Sequence, residues 1–186
     1  MKTEKEKMIA GEFYEAGHAD LRKERLKAKK LLHRLNVTEY AVTKKARQII
    51  AELIPNTGNN FYIEPPFLCD YGFNIECGDN VYFNVNCVIL DCAPVKIGSN
   101  VMLAPNVQIY TATHPLDAET RKILHSAEAV TIGDDCWIGG NSVICPGVTI
   151  GEGSVIGAGS VVTKDIPKNS LAVGNPAKVI RKLNQE

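Results

Sequence analysis

The stretch IGDDCWIGGNSVICPGVTIGEGSVIGAGSVV, residues 132–162, carries an aliphatic residue at every sixth position. Glycine directly follows four of these six residues, which are Ile132, Ile138, Ile144, Ile150, Ile156 and Val162. Each six-residue unit would form one flat side of a triangular coil, with the aliphatic side chain inward and the small residue turning the corner. Because stacked coils bury a continuous aliphatic column, the stretch predicts a parallel β-helix of hexapeptide repeats.

The same six-residue register extends toward the N-terminus in two further runs of apolar residues. One run contains Ile97, Leu103 and Ile109, and the other contains Ile63, Cys69, Ile75, Val81 and Cys87. A four-residue slip around residues 91–94 separates the two runs. A long interruption, residues 110–131, follows Ile109 and contains Thr-Ala-Thr-His-Pro at 111–115. Loops that leave a regular scaffold often carry function, so this loop is the first place to look for a site.

Three helices are predicted ahead of the repeats, over Lys2–Tyr14, Asp20–Leu35 and Thr38–Ile54, with Asp20 and Thr38 as N-caps. Pro55 and the polar residues after it end this part. We therefore expect a mainly β chain with a helical segment over 1–58, a β-helix over 59–170 with an inserted loop at 110–131, and a capping tail over 171–186. The leucine stripe of the second helix is expected to form core or a docking surface.

The charge balance gives no general reason to expect nucleic acid or a membrane surface as partner, because 21 basic residues offset 21 acidic ones. A basic excess lies on predicted helix at Arg22–Lys30, where a solvated face is the main interpretation and an anionic phosphate or nucleic-acid site the alternative. No stretch approaches the roughly 20 apolar residues of a membrane span. The charged segment Met1–Lys7 does not resemble a signal peptide, so we expect a cytoplasmic protein.

A metal site is not expected from the cysteines and histidines. The six cysteines form no Cys-x-x-Cys pair, and several occupy small or inward-facing repeat positions, which is typical of reduced, packed thiols. A zinc site like that of γ-class carbonic anhydrases needs three histidines. Only His114 and His125 lie in the β-helical part, 11 residues apart and without repetition.

Several motifs carry a close family resemblance. They are Ile-Glu-Pro-Pro-Phe (63–67), Cys-Asp-Tyr-Gly-Phe-Asn-Ile (69–75), Leu-Ala-Pro-Asn-Val (103–107), Tyr-Thr-Ala-Thr-His-Pro (110–115), Trp-Ile-Gly-Gly (137–140), Glu-Lys-Glu-Lys-Met-Ile-Ala-Gly-Glu (4–12) and Asn-Pro-Ala-Lys-Val-Ile (175–180). In them the sequence resembles the maltose O-acetyltransferases, a hexapeptide-repeat family related to the galactoside O-acetyltransferases. The resemblance covers essentially the whole chain.

The resemblance implies a left-handed β-helix and transfer of an acetyl group from acetyl-CoA to a hydroxyl of maltose, glucose or a similar sugar. It also implies a homotrimer with active sites between subunits. His114 would be the general base, Asn84 would contact both the acceptor and the reacting centre, and Asp70 would contact the acceptor. The positions implied for the CoA groove are Ala104, Gly140, Ala158, Thr163, Lys164, Lys178 and Arg181. Trp137 is expected to shield this groove or pack against CoA, with simple packing as the alternative.

The chemistry of the reaction agrees with a histidine base. A sugar hydroxyl is a poor nucleophile at neutral pH, and a neutral imidazole can take its proton during attack on the thioester. Pro115 restricts His114 to extended backbone conformations. By resemblance, a backbone N–H near Gly140 and the Asn84 side chain would stabilise the oxyanion. No serine or cysteine is evidently paired with His114, so direct transfer in a ternary complex is expected.

The sequence departs from its relatives at four places. Ala129 replaces a proline, and either His125 or Glu128 aligns near a glutamate that relatives often have. Cys92 and Ala16 replace acidic residues that contact the sugar in the galactoside enzymes, so galactoside specificity is not expected. The alternatives are the same chemistry on another hydroxyl acceptor, such as an antibiotic or another sugar, and a non-catalytic trimeric β-helix scaffold.

Overall fold

The computed structural model describes residues 2–37 and 43–183, which form three helices followed by stacked coils of short strands. The helices are α1 (Glu4–Ile9), α2 (Ala19–Asn36) and α3 (Lys44–Leu53). The Thr3 hydroxyl and the Glu6 carboxylate form a capping box at the start of α1. The Thr43 hydroxyl caps α3 by accepting from the backbone N–H of Ala46 at 3.1 Å.

The helix boundaries differ from the predicted ones where a cap or a glycine decides them. α1 ends well before Tyr14, because the chain turns at Gly11, whose φ is +72°. His18 rather than Asp20 caps α2, since the backbone N–H of Asp20 donates to His18 Nδ1 at 3.4 Å. The predicted cap Thr38 lies outside the described residues.

The strands form three faces of a triangular prism, and the predicted parallel β-helix is confirmed. The first face contains β1 (Asn56–Thr57), β4 (Ile75–Cys77), β7 (Val95–Ile97), β12 (Val130–Ile132) and β15 (Thr149–Ile150). The second contains β2 (Tyr62–Ile63), β5 (Tyr82–Phe83), β8 (Met102–Leu103), β13 (Trp137–Ile138), β16 (Val155–Ile156), β18 (Ser170–Gly174) and β19 (Ala177–Lys182). The third contains β3 (Phe67–Cys69), β6 (Cys87–Leu90), β9 (Gln108–Tyr110), β14 (Val143–Ile144) and β17 (Val161–Val162).

The chain turns the first corner, from the first face to the second, through residues in the left-handed region. Asn60, Asn80, Asn100 and Asp135 all have φ between 56° and 58° there. Their side chains form a ladder in which each amide donates to the next coil, at 2.9, 3.0 and 2.9 Å. Asparagine and aspartate tolerate this conformation better than other residues with side chains, so the turn chemistry repeats from coil to coil.

The length of the third corner, from the third face back to the first, varies between coils. On the second face Tyr62 pairs with Tyr82, and Tyr82 with Met102, so each of these coils advances by 20 residues. Met102 pairs with Trp137 after 35 residues, and Trp137 pairs with Val155 after 18. The extra residues lie at the third corner, in 70–74, 91–94 and 111–129.

This variation corrects the predicted register of the first coils. Cys69 aligns with Ile89, and the next inward position of its coil is Cys77, aligned with Ile97. The chain therefore slips by two residues at 70–74 and again by two at 91–94, instead of by four at one place. The first slip was hidden because Ile75 and Val81 are themselves fully buried, so a six-residue count still meets apolar residues.

One hydrophobic core runs through the prism and into the helices. Leu31, Leu32 and Leu35 of α2 and the apolar face of α3 belong to the same cluster as the column of the coils, so these helices cover the N-terminal end. Leu26 is the exception in the predicted leucine stripe, with 53% of its surface exposed. At the other end β18 and β19 form an antiparallel pair. Within the described part of the chain, each helix is too short or too polar to cross a bilayer.

Candidate active site

A buried carboxylate organises the enlarged third corner. Asp91 is fully buried, and its two oxygens accept from the backbone N–H groups of Asp70 (3.0 Å), Tyr71 (2.8 Å), Gly72 (2.7 Å) and Asn74 (3.4 Å). Burial raises the pKa of the Asp91 carboxyl to about 7, and the N–H donors act in the opposite direction. The corner 70–74 is thus held in one shape by the coil that follows it.

A second set of bonds ties this corner to the start of the long loop. The Thr111 hydroxyl donates to the carbonyl of Leu90 at 2.6 Å and accepts from the backbone N–H of Ala93 at 2.9 Å. Thr111 is fully buried. Hydrogen bonds of the buried Asp91 and Thr111 side chains therefore connect the third corners of successive coils. They also fix the position at which the loop leaves the prism.

The loop brings His114 out next to this edge. β10 (Ala112–Thr113) and β11 (Ser126–Ala127) pair antiparallel, and a short 3-10 helix, Thr120–Lys122, lies between them. His114 follows β10 directly and is exposed. Rigid strands at the base of a loop fix the position of a side chain better than the loop itself does, so His114 starts from a defined backbone.

A chain of side-chain contacts joins His114 to Asp70. The His114 and His125 rings lie 4.6 Å apart between centroids, and the His125 and Tyr14 rings lie 5.9 Å apart. Tyr14 packs in the same buried cluster as Cys92, whose thiol donates to Asp70 Oδ2 at 3.4 Å. The predicted base and the predicted acceptor contact therefore belong to one cluster at the third corner.

The N-terminal segment forms one wall of this cluster. Tyr14 exchanges two backbone hydrogen bonds with His125, at 3.0 and 3.1 Å, and is almost completely buried. Arg25 on α2 donates to the Tyr71 hydroxyl and to the carbonyl of Ala16, both at 2.6 Å. Burial lowers the pKa of His125, and the neighbouring His114 and Arg25 lower it further.

A second group of predicted residues lines the second corner, where the chain passes from the second face to the third. Asn84 follows β5, Ala104 follows β8, Gly140 lies just after β13 and Ala158 just after β16. Backbone bonds stack them, since the N–H of Asn84 donates to Leu103 and that of Ala104 to Ile138. Side chains are small here, and a Cβ on Gly140 would lie 3.1 Å from the Pro105 carbonyl.

The remaining predicted cofactor residues lie apart from that column. Trp137 is on the outer side of the second face, half exposed, between Met102 and Val155 in register. Thr163 and Lys164 follow β17 at the third corner, and Lys178 and Arg181 are on β19. All four of these are exposed. The structure thus groups the predicted site residues on two corners and one face of the prism.

The arrangement supports base chemistry better than thiol chemistry. Burial raises the pKa of each of the six cysteine thiols, to about 12 for Cys92, so thiolate nucleophiles are disfavoured at neutral pH. Among residues 2–37 and 43–183, no three His, Cys, Asp or Glu side chains cluster closely enough to hold a metal ion.

Comparison with known proteins assigns the family. A model of bacterial transferase hexapeptide repeats matches residues 129–164, and a model of the maltose acetyltransferase hexapeptide capping motif matches residues 7–58. A Saccharomyces cerevisiae relative, assigned by its name to the acetyltransferases, is 54% identical over 97% of this chain and 93% of its own. The chain belongs to the hexapeptide-repeat acetyltransferases. This confirms the predicted resemblance. Because the relatives are acetyltransferases, the chain is an enzyme of this family and not the non-catalytic scaffold considered as an alternative.

Solved structures narrow the type of acetyltransferase. A maltose O-acetyltransferase from Clostridium difficile 630 is 49% identical, with a TM-score of 0.96 and 99% of both chains covered. A galactoside acetyltransferase in complex with coenzyme A is 42% identical, with a TM-score of 0.94, and 99% of this chain and 92% of that one align. A hexapeptide-repeat acetyltransferase from Vibrio cholerae in complex with acetyl coenzyme A is 38% identical over 99% and 100%, with a TM-score of 0.91. This acetyltransferase is thus of the maltose and galactoside O-acetyltransferase type.

The sequence did not indicate several residues of the third-corner cluster. Asp91 could have been suspected, because it is a single acidic residue within the apolar run Val-Ile-Leu-Asp-Cys-Ala-Pro at 88–94. Tyr14, Arg25 and Tyr71 gave no such signal. They come together only because α1 and α2 fold back over the enlarged corner, where Met8 and Leu21 pack with Tyr71 and Cys92.

Proposed function

We propose that this acetyltransferase transfers the acetyl group of acetyl-CoA to a hydroxyl of maltose, glucose or a similar sugar. The observation that carries the proposal is the position of His114, exposed beside a polar corner and joined by contacts to Asp70. The N-terminal helices close over the same edge, which gives an acceptor a walled site. The structures of its relatives with bound coenzyme A or acetyl coenzyme A support the choice of donor.

In the proposed step His114 accepts the proton of the acceptor hydroxyl as the hydroxyl oxygen attacks the thioester carbonyl carbon. The carbon–sulfur bond then breaks, and the leaving thiolate recovers a proton from the imidazolium. The raised pKa of the cysteine thiols supports direct transfer without a covalent acyl-enzyme. Cys92 donates to Asp70 in place of an acidic sugar contact, which favours glucose-like over galactoside acceptors.

Asn84 is proposed to assist the developing oxyanion. Its Oδ1 accepts from the backbone N–H of Val85 at 2.8 Å, which leaves the NH2 end of the amide as the donor. A fixed donor of this kind is worth more in a site from which water is excluded than in bulk water. Ala104, Gly140 and Ala158, stacked along the same corner, are proposed to line the groove for CoA, with Trp137, Thr163, Lys164, Lys178 and Arg181 around it.

The separation of the two corners supports the proposal of a homotrimer with shared sites. His114 belongs to the third corner and Asn84 to the second, and a third-face strand segment of about 15 Å lies between these corners. Two chains would therefore supply one site. The outer surfaces support such contacts, because Tyr82, Met102 and Trp137 on the second face and Leu68 on the third are apolar and exposed or half-exposed.

The function is tested by measuring thiol release from acetyl-CoA with maltose, glucose, a galactoside and no acceptor. We expect turnover that depends on maltose or glucose, and turnover with none of the sugars would contradict the proposal. His114→Ala should lower kcat by about 10²–10⁴-fold. His33→Ala, on the exposed side of α2, is the matched control and should keep wild-type kinetics.

The shared site has its own test. His114→Ala and Asn84→Ala, each inactive alone, are unfolded together and refolded as mixed trimers. If the two residues come from different chains, some mixed sites contain both wild-type side chains and activity returns. Activity that stays at the level of the separate variants would contradict a shared site, and size-exclusion chromatography with light scattering gives the oligomeric state.

A further inference from the structure

We propose that His125 is a positioning residue for His114, and that it acts through the packing of its ring rather than through an acid–base role of its own. This rests on the proposed function, in which His114 is the base. The two rings lie 4.6 Å apart at an angle of 54°. This geometry belongs to van der Waals contact between tilted rings.

The backbone of His125 is fixed from the other side. Its N–H donates to the Tyr14 carbonyl at 3.0 Å, and its carbonyl accepts from the Tyr14 N–H at 3.1 Å. Tyr14 is itself held in a buried cluster with Met8 and Leu21. The Tyr14 ring also lies 5.9 Å from the His125 ring, at an angle of 42°. His125 is therefore a half-buried ring that contacts both the buried Tyr14 and the exposed His114.

The other candidate for this role is directed elsewhere. The Glu128 carboxylate lies over Gly147, where an added Cβ would be 2.5 Å from Glu128 Oε2. The backbone N–H of Glu128 donates to Thr111 at 2.8 Å, which anchors this residue to the base of the loop. Of the two residues that align near the glutamate of relatives, His125 is the one that contacts His114.

Ring contact limits the rotamers of His114, whose backbone is already restricted by Pro115. Misplacement of a catalytic group by about 1 Å can cost about 100-fold in rate. Burial lowers the pKa of His125, and the neighbouring His114 and Arg25 lower it further, which disfavours an acid–base role for this ring. A planar side chain without titratable nitrogens, such as phenylalanine, should therefore be able to take over the positioning role of His125.

The experiment compares kcat and KM of the full-length protein for His125→Ala and His125→Phe with maltose or glucose as acceptor. His125→Ala should lower kcat by about 10- to 100-fold with KM for acetyl-CoA within about twofold. His125→Phe should keep kcat within about threefold of wild type. His33→Ala is the control, and thermal melting verifies folding. If the alanine variant does not fold, His125→Gln, of similar length but without a ring, is expected to show the same loss.

Two outcomes would overturn the inference. Wild-type kcat in His125→Ala would remove any positioning role, and a kcat as low in His125→Phe as in His125→Ala would point to the nitrogens instead of the ring. The proposed function fails separately, since it requires that His114→Ala be inactive in the same assay. An active His114→Ala variant would refute the base assignment, whereas an inactive one beside a fully active His125→Ala would refute only the positioning role.

Discussion

The Asp91 carboxylate lies 2.7 Å from the backbone nitrogen of Gly72, although the two residues belong to successive coils. Gly72 has a φ of +83°, and a Cβ there would lie 2.2 Å from the carbonyl of Leu53 in α3. The corner 70–74 is thus fixed by the coil on one side and by a helix on the other. A single buried carboxylate couples the helical segment, the first coil and the proposed acceptor wall.

We expect Asp91→Asn to destabilise the protein by about 3 kcal/mol, because the amide NH2 would face buried N–H donors. Chemical denaturation measures the free energy of unfolding. Glu152→Gln, an exposed acid at the first corner, is the matched control and should stay within about 0.5 kcal/mol of wild type. A similarly small change in Asp91→Asn would show that the N–H groups of the corner do not depend on this carboxylate.

Asn84→Asp should lower kcat by about 10²–10³-fold while the fold is kept. Aspartate keeps the oxygen that accepts from Val85 but replaces the NH2 donor with a negatively charged oxygen, which would repel the oxyanion. Steady-state kinetics with saturating acetyl-CoA measures the effect. Asn60→Asp at the first corner removes a ladder donor instead, and it should change stability without changing kcat. Equal kcat in the two variants would argue against the role of Asn84.

Ala158→Leu should raise the KM for acetyl-CoA by about tenfold or more with a smaller effect on kcat, since the larger side chain would fill the proposed groove. Ala158 is exposed, so the substitution itself should not disturb the core. Lys168→Leu places the same side chain at an exposed position on the first corner and serves as the control. If both variants bind acetyl-CoA like the wild type, the groove does not follow the second corner.

The lowered pKa of His125 makes a prediction about stability in acid. Below its ordinary pKa of about 6.5 the unfolded chain gains a proton at this residue while the folded chain still resists it. His125 therefore weakens the fold as the pH falls from about 7 toward 5. Relative to wild type, the melting temperature of His125→Phe should rise over that range. A difference in melting temperature that is constant with pH would contradict the lowered pKa.

The repeat let the scaffold be predicted because its signal is local and periodic. From Ile132 to Val162 each inward residue is six from the next, and the structure keeps that spacing. In the first coils the six-residue count assigned the wrong residues to the inward column of the prism. Ile75 and Val81 are as buried as Cys77 and Phe83, which are the residues that point inward. A six-residue pattern can be read only when the inward residues are apolar and their neighbours are polar. Where the residues two positions earlier are also buried and apolar, the sequence does not show which of them point into the prism.

The environment of the predicted base was less accessible from the sequence. Tyr14 and His125 are far apart in the chain and meet through two backbone hydrogen bonds, which leave no trace in the identities of the side chains. The sequence likewise gave no means of choosing between His125 and Glu128. Only the direction of the two side chains on either side of β11 separates them, and a shift of one residue in a strand reverses that direction.

Variable lengths at the third corner have a consequence for how this kind of protein can change. In the described coils the first and second corners keep six residues between inward positions. At the third corner the spacing is eight from Cys69 to Cys77 and from Ile89 to Ile97, 23 from Ile109 to Ile132 and six from Ile144 to Ile150. Insertions at that edge leave the stacking elsewhere intact, because each coil contacts only its neighbours. The loop at this edge can therefore be exchanged without changing the rest of the prism. Replacing residues 112–127 with the corresponding loop of a relative should change the acceptor preference while the β-helix stays the same.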